Sequence, residues 1–368
     1  MDYSPDMLDF EIRPTPSPRT SAERDALLAD PGFGRVFTDH MVTIRYSDTK
    51  GWYDARVEPF GPLSLSPATA ALHYAQEMFE GLKAYAGPDG SALLFRPDAN
   101  SRRFNATATR LAMPTMPEDL FVESLRQLVD RDRVWVPTRP GDSLYLRPFM
   151  FATDPFLGVR PSSEYLFLVI ASPSRSYFAG DGRPIKVWVS RDYIRSAVGG
   201  TGAVKAAANY AASLAAQAQA IEAGCDQVVF LDAIERRQVE EAGSNNLFFA
   251  LTENGGTTLV TPPLGGSILP GITRDSILQL AGRLGYAVAE RPYSIDEWRA
   301  DATSGKLREV LACGTGVVIT SIGTVRDGDE EFTIPGAESG EIIRSVREAL
   351  VDIQFGRAED PFGWLHRA

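Results

Sequence analysis

One segment rich in serine, glycine and proline interrupts the chain near its middle. Residues 171–184 read ASPSRSYFAGDGRP and follow a strongly apolar run, Tyr165–Ala171. This composition favours an irregular connection over a helix or strand, and a new strand-like run begins at Ile185. The chain has 368 residues, which is long enough for two domains. The sequence predicts an N-terminal domain at 1–174, a linker at 175–184 and a C-terminal domain at 185–368.

Strand-like and helix-like runs are mixed unevenly on both sides of this segment. In the N-terminal part, Leu144–Phe151 is typical of a strand, whereas Pro67–Phe79 and Glu118–Val129 have helical spacing. In the C-terminal part, an alanine-rich helix at Asn209–Ala223 precedes a buried strand at Gln227–Leu231. This mixture indicates the α+β class.

Charge and composition disfavour several kinds of function. The chain carries 48 acidic and 37 basic residues, for a net charge of −11, and has no basic run, so nucleic acid is not an expected partner. The longest apolar run is far too short to span a membrane, and the acidic N-terminus lacks the pattern of a signal peptide, so we expect a cytoplasmic location. Two distant cysteines and three scattered histidines predict neither a disulfide framework nor a metal site.

Lys205 is the first candidate for chemistry. It lies in GGTGAVKAAANY, residues 199–210, where small neighbours leave space around its amine. Partial burial would lower the pKa of the ammonium group, as a lysine that forms a Schiff base requires. The local sequence alone favours a solvated lysine at the start of a helix. A phosphate loop is excluded, since that motif needs glycine where Val204 stands.

Three further motifs have a functional and a plain interpretation. Glu241, in VEEAGSNNLFF, precedes an apolar strand and could reach a cleft, although a solvated acid beside Glu240 is the simpler interpretation. The sequence LPGITR, residues 269–274, leads into a helix with Thr273 as its expected N-cap, where amides could bind phosphate. A plain turn would also explain it. The sequence CGTG, residues 313–316, could offer the Thr315 hydroxyl as a second hydrogen-bond donor to a ligand. The alternative is a tight turn without a ligand.

Two arginines complete the set of candidates. Arg103, in FRPDANSRRF, and Arg147, in LYLRPF, could each bind phosphate or carboxylate through a forked guanidinium. A surface arginine is the alternative for each, and it is weaker for Arg147, which lies within an apolar strand. A lysine, an acid, a helix N-terminus and two arginines together suit a phosphorylated aldehyde cofactor.

These motifs resemble those of the branched-chain amino-acid aminotransferases, which are pyridoxal 5'-phosphate enzymes of fold type IV. The resemblance implies a two-domain fold, with a smaller N-terminal α/β domain and a larger C-terminal domain that has a mixed sheet or barrel-like core. It covers nearly the whole chain in ordered segments. They are GFGRVFTDHM (32–41), LHYAQEMFEGLKAY (72–85), FRPDANSRR (95–103), LYLRPF (144–149), GGTGAVKAAANYAASL (199–214), EEAGSNNLFF (240–249), ILPGITRDSIL (268–278) and CGTGVVI (313–319).

The resemblance implies a cofactor role for each matching residue. Lys205 matches the lysine that forms the Schiff base and moves the proton between the substrate Cα and the cofactor carbon. Glu241 matches the acid that pairs with the pyridine nitrogen, and Tyr210 the tyrosine that hydrogen-bonds the phenolic oxygen. The full implied cofactor set is Arg103, Lys205, Tyr210, Glu241, Ser244, Ile272, Thr273 and Thr315, with Arg103, the Ile272 and Thr273 amides and Thr315 at the phosphate.

A substrate pocket is also implied by the resemblance. Aromatic walls would receive an aliphatic side chain, Arg147 would bind the distal carboxylate of glutamate, and backbone N–H groups near Thr315 would bind the α-carboxylate. A loop would close the pocket of a neighbouring subunit, so a homodimer is expected. The implied substrate set is Tyr74, Phe79, Tyr145, Arg147, Leu157, Val159, Thr315 and Gly316, with Leu157 and Val159 in the loop.

The implied reaction is ping-pong transamination between leucine, isoleucine or valine and 2-oxoglutarate, which gives branched-chain 2-oxo acids and L-glutamate. One alternative is another enzyme of the same fold, such as aminodeoxychorismate lyase or a D-amino-acid aminotransferase. Tyr74, Tyr145 and Arg147 argue against it. A second alternative, a binding protein with a decayed site, is disfavoured because every chemical position is occupied. Val317 and Thr320 stand where some relatives carry a pair of cysteines, so no thiol switch is expected.

Overall fold

The structure is a computed structural model that describes residues 8–175, 183–253, 255–338 and 340–368. The chain divides into two compact units. The first takes the described part of Met1–Tyr177 together with Lys205–Ala207 and Ile353–Ala368, and the second takes the described part of Phe178–Val204 together with Ala208–Asp352. Most of the expected linker, residues 176–182, lies outside the described residues.

The first unit combines a sheet with helices. Its strands are β1 (Glu11–Ile12), β2 (His40–Ser47), β3 (Gly51–Pro59), β4 (Glu77–Phe79), β5 (Leu82–Ala86), β6 (Ala92–Phe95), β7 (Ser143–Ala152), β8 (Glu164–Ser174) and β18 (Leu365–Arg367). Its helices are α1 (Ser21–Ala29), α2 (Ala70–Tyr74), α3 (Pro97–Arg110) and α4 (Glu118–Arg131), and a 3-10 turn follows at Arg133–Trp135.

The strands of the first unit form one sheet in the order β1-β3-β2-β8-β7-β5-β6-β18, and β4 pairs with β7 beside this path. All pairs are antiparallel except β1 with β3. Phe104 of α3 and Phe121 of α4 pack on Phe167 of β8, with ring centres 5.5 and 6.0 Å from it. The apolar faces of the two helices and of the sheet thus share one core.

The second unit has its own strands and helices. Its strands are β9 (Ile185–Val189), β10 (Gln227–Leu231), β11 (Val239–Ala242), β12 (Asn245–Glu253), β13 (Gly256–Thr261), β14 (Ala287–Glu290), β15 (Leu307–Gly314), β16 (Val318–Asp327) and β17 (Glu330–Thr333). The helices of this unit are α5 (Ala207–Glu222), α6 (Ile272–Ala281), α7 (Ile295–Ser304) and α8 (Glu341–Gln354), with a 3-10 turn at Gly282–Leu284.

Six strands of the second unit close into a ring. They follow the order β11-β10-β9-β16-β15-β12, and β12 pairs with β11 to complete it. β9 is parallel to β10 and β16, whereas the other ring pairs are antiparallel, so the sheet is mixed. Closure satisfies the backbone groups that an open edge would leave unpaired. The expected α+β class with a mixed, barrel-like C-terminal sheet is therefore confirmed.

Three local expectations differ from the structure. Pro67–Phe79 is not one helix: α2 ends at Tyr74, because Ala75 has φ +50°, and β4 begins at Glu77. Thr273 is not the N-cap of α6, since Gly271 has that position and Thr273 lies within the first turn. The end of the chain, 353–368, does not stay with the second unit but returns to the first, where β18 pairs with β6.

Candidate active site

The backbone around Lys205 is fixed by a strand and a helix of the first unit. The Phe79 N–H, at the end of β4, donates to the Lys205 carbonyl oxygen over 3.2 Å. The Lys205 N–H donates to Oγ1 of Thr107 in α3 over 3.1 Å, and Met78 forms an antiparallel bridge with Ala206. Lys205 is half-buried. Lys205 is thus more buried than the solvated lysine that the local sequence alone favours.

The Phe79 ring contacts two cationic side chains. Lys205 Nζ lies 5.1 Å from the centre of this ring, and the guanidinium carbon of Arg147 lies 4.5 Å from it. Arg147, on β7, also donates from Nη2 to the Tyr145 hydroxyl over 3.1 Å. A ring face attracts cations and also offers apolar surface. The structure thus brings four of the expected residues together in the first unit.

Arg147 keeps one buried donor available. Its Nε is buried and has no hydrogen-bond partner among the described residues. Burial raises the pKa of nearby Glu77, and the positive charge of Arg147 opposes that rise. A buried donor without an acceptor costs about 1–3 kcal/mol. A ligand carboxylate would supply the missing acceptor, which is chemically consistent with the role expected of Arg147.

Arg103 is paired with Glu80, an acid that the sequence reasoning did not single out. Arg103 Nε donates to Glu80 Oε1 over 2.7 Å and Nη2 donates to Oε2 over 2.8 Å. Asn100 Nδ2 donates to the same Oε2 over 2.7 Å. Burial raises the pKa of Glu80, but the guanidinium of Arg103, its hydrogen bonds and the charge of Lys205 outweigh burial and hold that pKa below its ordinary value. Glu80 therefore stays ionised.

A surface loop carries Leu157 and Val159. Their side chains are 68% and 89% exposed. Tyr74, at the end of α2, donates from its hydroxyl to the Leu157 carbonyl oxygen. Asp154 fixes the base of the loop by accepting from both the N–H and the hydroxyl of Ser163. Hydrogen bonds thus hold the loop at two points while the apolar side chains of Leu157 and Val159 are exposed, as in a segment that contacts another surface.

Glu241 is held inside the second unit by one arginine and one backbone amide. It lies on β11 and is 1% exposed. Arg195 Nε lies 3.2 Å from Glu241 Oε2, and the Leu269 N–H donates to Oε1. Arg195 is itself fixed, because its Nη1 donates to the carbonyl oxygens of Gly202 and Ser267. The plain interpretation of Glu241 as a solvated surface acid is therefore wrong.

Glu240, the neighbour of Glu241, has a different environment. Burial raises the pKa of Glu240, and a hydrogen bond from the Ser267 hydroxyl with the nearby charge of Arg195 opposes the rise. Glu240 Oε2 is buried without a hydrogen-bond partner in the described part of the chain. Two adjacent acids on one strand thus differ in how the protein supports their charge.

The N-terminus of α6 is shaped by glycine. A Cβ at Gly271 would lie 1.9 Å from Asn246 Oδ1, so another residue at this position would collide with Asn246. Asn246 is held in place, because its Nδ2 donates to the Leu269 carbonyl oxygen over 3.0 Å. Within the described residues no side chain caps the helix. The amides of Ile272 and Thr273 therefore begin the helix without a side-chain acceptor, as a phosphate cradle requires.

The remaining expected residues of the second unit lie on α5 and in two turns. Tyr210 is half-buried on α5, and Ser244 is exposed between β11 and β12. Thr315 and Gly316 lie in the three-residue turn between β15 and β16, and Val318, the first residue of β16, has φ +59°. A β-branched residue adopts this conformation only under strain, which is concentrated at ligand sites in many proteins.

Three residues at these positions were not singled out by the sequence reasoning. Glu80, Arg195 and Asn246 are all buried and polar. Glu80 had a usable signal, since a charged residue between Phe79 and Gly81 within an apolar run needs a partner when it is buried. Arg195 and Asn246 had none, because their partners come from distant parts of the sequence.

Neither a metal centre nor a membrane span is found among the described residues. No group of three or more histidine, cysteine, aspartate or glutamate side chains within these ranges could hold a metal ion. None of the described helices is both long and apolar enough to cross a bilayer.

Comparison with known proteins gives consistent matches. Residues 77–325 match the family model described as amino-transferase class IV. A branched-chain-amino-acid aminotransferase of Mycolicibacterium smegmatis is 54% identical over 361 residues, which cover 98% of each chain. One of Mycobacterium tuberculosis is 53% identical over the same length and coverage.

Solved structures show the same fold. A branched-chain amino acid aminotransferase from Escherichia coli matches with a TM-score of 0.71 and 26% identity, over 89% of this chain and 98% of that one. A T.th. branched-chain amino acid aminotransferase with pyridoxamine 5'-phosphate matches with a TM-score of 0.70 and 25% identity, over 88% and 97%. The two-unit architecture is therefore that of fold type IV.

Proposed function

The chain belongs to the branched-chain-amino-acid aminotransferases of the class IV aminotransferase family, and we propose that it exchanges amino groups between leucine, isoleucine or valine and 2-oxoglutarate. The products are branched-chain 2-oxo acids and L-glutamate. The observation that carries this substrate pair is the Phe79 ring with Arg147 beside it. An apolar ring suits an aliphatic side chain and a guanidinium suits a carboxylate, so one pocket can serve both substrates.

We propose pyridoxal 5'-phosphate as the cofactor, as the pyridoxamine 5'-phosphate in a related structure supports. The residues present fit this group. In the described residues the first amides of α6 begin the helix without a side-chain cap, as a phosphate cradle requires, and Glu241 is a buried carboxylate held by Arg195. When bound, the cofactor supplies a ring that accepts electrons from the substrate Cα.

Cofactor contacts are proposed residue by residue. Lys205 Nζ would bind the cofactor covalently, Glu241 would hold the pyridine nitrogen protonated, and Tyr210 would hydrogen-bond the phenolic oxygen. The phosphate would accept from Arg103, from the Ile272 and Thr273 amides and from Thr315, with Ser244 nearby.

Lys205 would also move the proton. Its Nζ would take a proton from the substrate Cα and return it at the cofactor carbon, as a general base and then a general acid. In the structure this amine lies 5.1 Å from the centre of the Phe79 ring, the same ring that Arg147 contacts. A cofactor that stores the amino group between the two half-reactions would make the kinetics ping-pong.

Substrate binding follows from the same assignment. Tyr74, Phe79 and Tyr145 would line the side-chain pocket, and the Thr315 and Gly316 N–H groups would bind the α-carboxylate. We propose a homodimer in which the loop with Leu157 and Val159 closes the pocket of the other subunit, since both side chains are exposed. A cytoplasmic location stays a prediction.

The deciding experiment measures glutamate formed from L-leucine and 2-oxoglutarate by the purified protein with added pyridoxal 5'-phosphate. We expect steady turnover and parallel lines in double-reciprocal plots. Turnover of D-alanine without turnover of L-leucine would instead indicate a D-amino-acid aminotransferase. If the protein bound the cofactor but transferred no amino group, the proposed reaction would be refuted and the proposed cofactor would still stand.

A further inference from the structure

Glu80 is a buried acid close enough to Lys205 to interact with its charge. Its side chain is fully buried, and both oxygens accept from fixed donors. Oε1 accepts from Arg103 Nε, whereas Oε2 accepts from Arg103 Nη2, from Asn100 Nδ2 and, over 3.2 Å, from the Gly81 N–H. Such an arrangement leaves the carboxylate neither free to rotate nor able to take up a proton without losing bonds.

The two Arg103 bonds form a planar fork. Two nitrogens on one edge of the guanidinium, Nε and Nη2, contact the two oxygens of Glu80. A bidentate pair fixes the plane of a guanidinium in a way that a single contact cannot. Asn100 and Arg103 both lie on α3, so one helix carries both side chains that donate to Glu80.

We propose that Glu80 is the positioning residue for Arg103, clamping its guanidinium so that it meets the cofactor phosphate in one fixed orientation. The inference rests on the proposed function, because it takes pyridoxal 5'-phosphate as the ligand. A buried ion pair of this kind is a weak source of stability compared with apolar packing. A positioning role accounts for its presence.

Charge alone would give Glu80 the opposite effect. A fixed negative charge behind Arg103 reduces the positive potential that an anionic phosphate meets, so removing this charge would strengthen phosphate binding if orientation did not matter. If orientation matters, removing the carboxylate weakens binding, because Arg103 then loses its fixed plane. The sign of the change therefore separates the two roles.

The test compares two ligands that differ only in the phosphate. Pyridoxal and pyridoxal 5'-phosphate form the same bond with Lys205, so the ratio of their dissociation constants isolates the phosphate contacts. Both constants are measured by equilibrium dialysis for the wild type, for Glu80→Gln and for Asp98→Asn. Asp98 is the control, since it is a half-buried acid on the same helix that pairs with Arg102, the residue before Arg103, over 2.6 Å.

We expect Glu80→Gln to weaken pyridoxal 5'-phosphate binding by about tenfold or more, and pyridoxal binding by less than about twofold. Asp98→Asn should change neither constant. An unchanged or tighter constant for pyridoxal 5'-phosphate in Glu80→Gln would overturn the proposal, and so would an equal loss for both ligands.

A second variant covers the case in which Glu80→Gln does not fold. Glu80→Asp keeps the charge but shortens the side chain, so its fork with Arg103 is imperfect, and we expect a smaller loss that is still selective for the phosphate ligand. An unselective loss in Glu80→Asp would also count against the proposal. A wild type that binds neither ligand would overturn the proposed function together with this inference, whereas wild-type binding with unaffected variants would overturn the inference alone.

Discussion

Gly81 lies directly against the hydroxyl group of Tyr145. A Cβ added at Gly81 would be 2.1 Å from Tyr145 Oη and 2.9 Å from Cζ. Ordinary contact begins near 3.4 Å, so the hydroxyl of Gly81→Ala would have to move by about 1.3 Å. The same hydroxyl accepts from Arg147 Nη2 over 3.1 Å. Such a shift breaks that bond or displaces the guanidinium with it.

We expect Gly81→Ala to lower kcat/KM for glutamate more than for leucine. A hydrogen bond that involves a charged group contributes about 1.5–3 kcal/mol, which corresponds to a loss of roughly 10- to 150-fold. Leucine carries no distal carboxylate and does not need Arg147, so its kcat/KM should fall only through the smaller change in the pocket wall. Initial rates with each amino donor measure both values.

Two further variants test whether the Gly81–Tyr145 contact is the cause. Gly61→Ala is the matched control, because the nearest atom to its added Cβ is the Pro59 carbonyl oxygen at 4.0 Å, and we expect no change in selectivity. The double variant Gly81→Ala/Tyr145→Phe lacks the 2.1 Å contact and keeps the milder 2.9 Å contact. Its free energy of unfolding should therefore be higher than that of Gly81→Ala alone. If Gly81→Ala kept both kcat/KM values within about twofold of the wild type, the reasoning would be refuted.

Three further predictions concern other positions. Lys205→Ala should abolish amino transfer at saturating substrate and prevent covalent fixation of the cofactor by borohydride, and retained activity would show that another group moves the proton. Arg147→Met should raise KM for glutamate at least about tenfold while leucine changes little, as substrate titrations of both donors would measure. Glu309→Gln should lower the free energy of unfolding by about 1–3 kcal/mol in urea titrations, because Glu309 is 3% exposed and accepts from the amides of Ile342 and Ile343 over 3.0 and 2.8 Å. The exposed Glu330→Gln serves as its control, and equal effects would contradict the prediction.

Local patterns in the sequence predicted those parts of the fold that depend on local chemistry. The apolar runs at Leu144–Phe151 and Tyr165–Ala171 correspond to β7 and β8, which pair along their whole length. The alanine-rich run corresponds to α5. Such runs can be recognised because periodic burial and backbone propensity both act over a few residues. The family resemblance, which the comparisons confirm, could also be recognised from local sequence, because its motifs are short segments that follow one another in a fixed order.

Features set by distant partners could not be predicted in this way. The N-cap of α6 is Gly271, and glycine is needed there because Asn246, from an earlier strand, occupies the space where a side chain at 271 would be. The return of the chain end to the first unit depends on β18 pairing with β6, and neither strand carries a signal of that choice. The ring of the second unit likewise depends on pairings between strands that are distant in the sequence, such as β12 with β15 and β9 with β16.

The two buried acids nearest the proposed chemistry are supported in the same way. Glu80 accepts from an arginine and from the Gly81 amide, and Glu241 is paired with an arginine and accepts from the Leu269 amide. In each case the arginine holds the charge and the amide fixes its direction before any ligand arrives. Because preformed charges need no reorganisation during a reaction, this arrangement suits the two proposed roles of fixed charge, which are orienting Arg103 towards a phosphate and keeping a ring nitrogen protonated. Glu309 shows the contrast, since it accepts from two amides at a helix start and its effect should therefore be on stability alone.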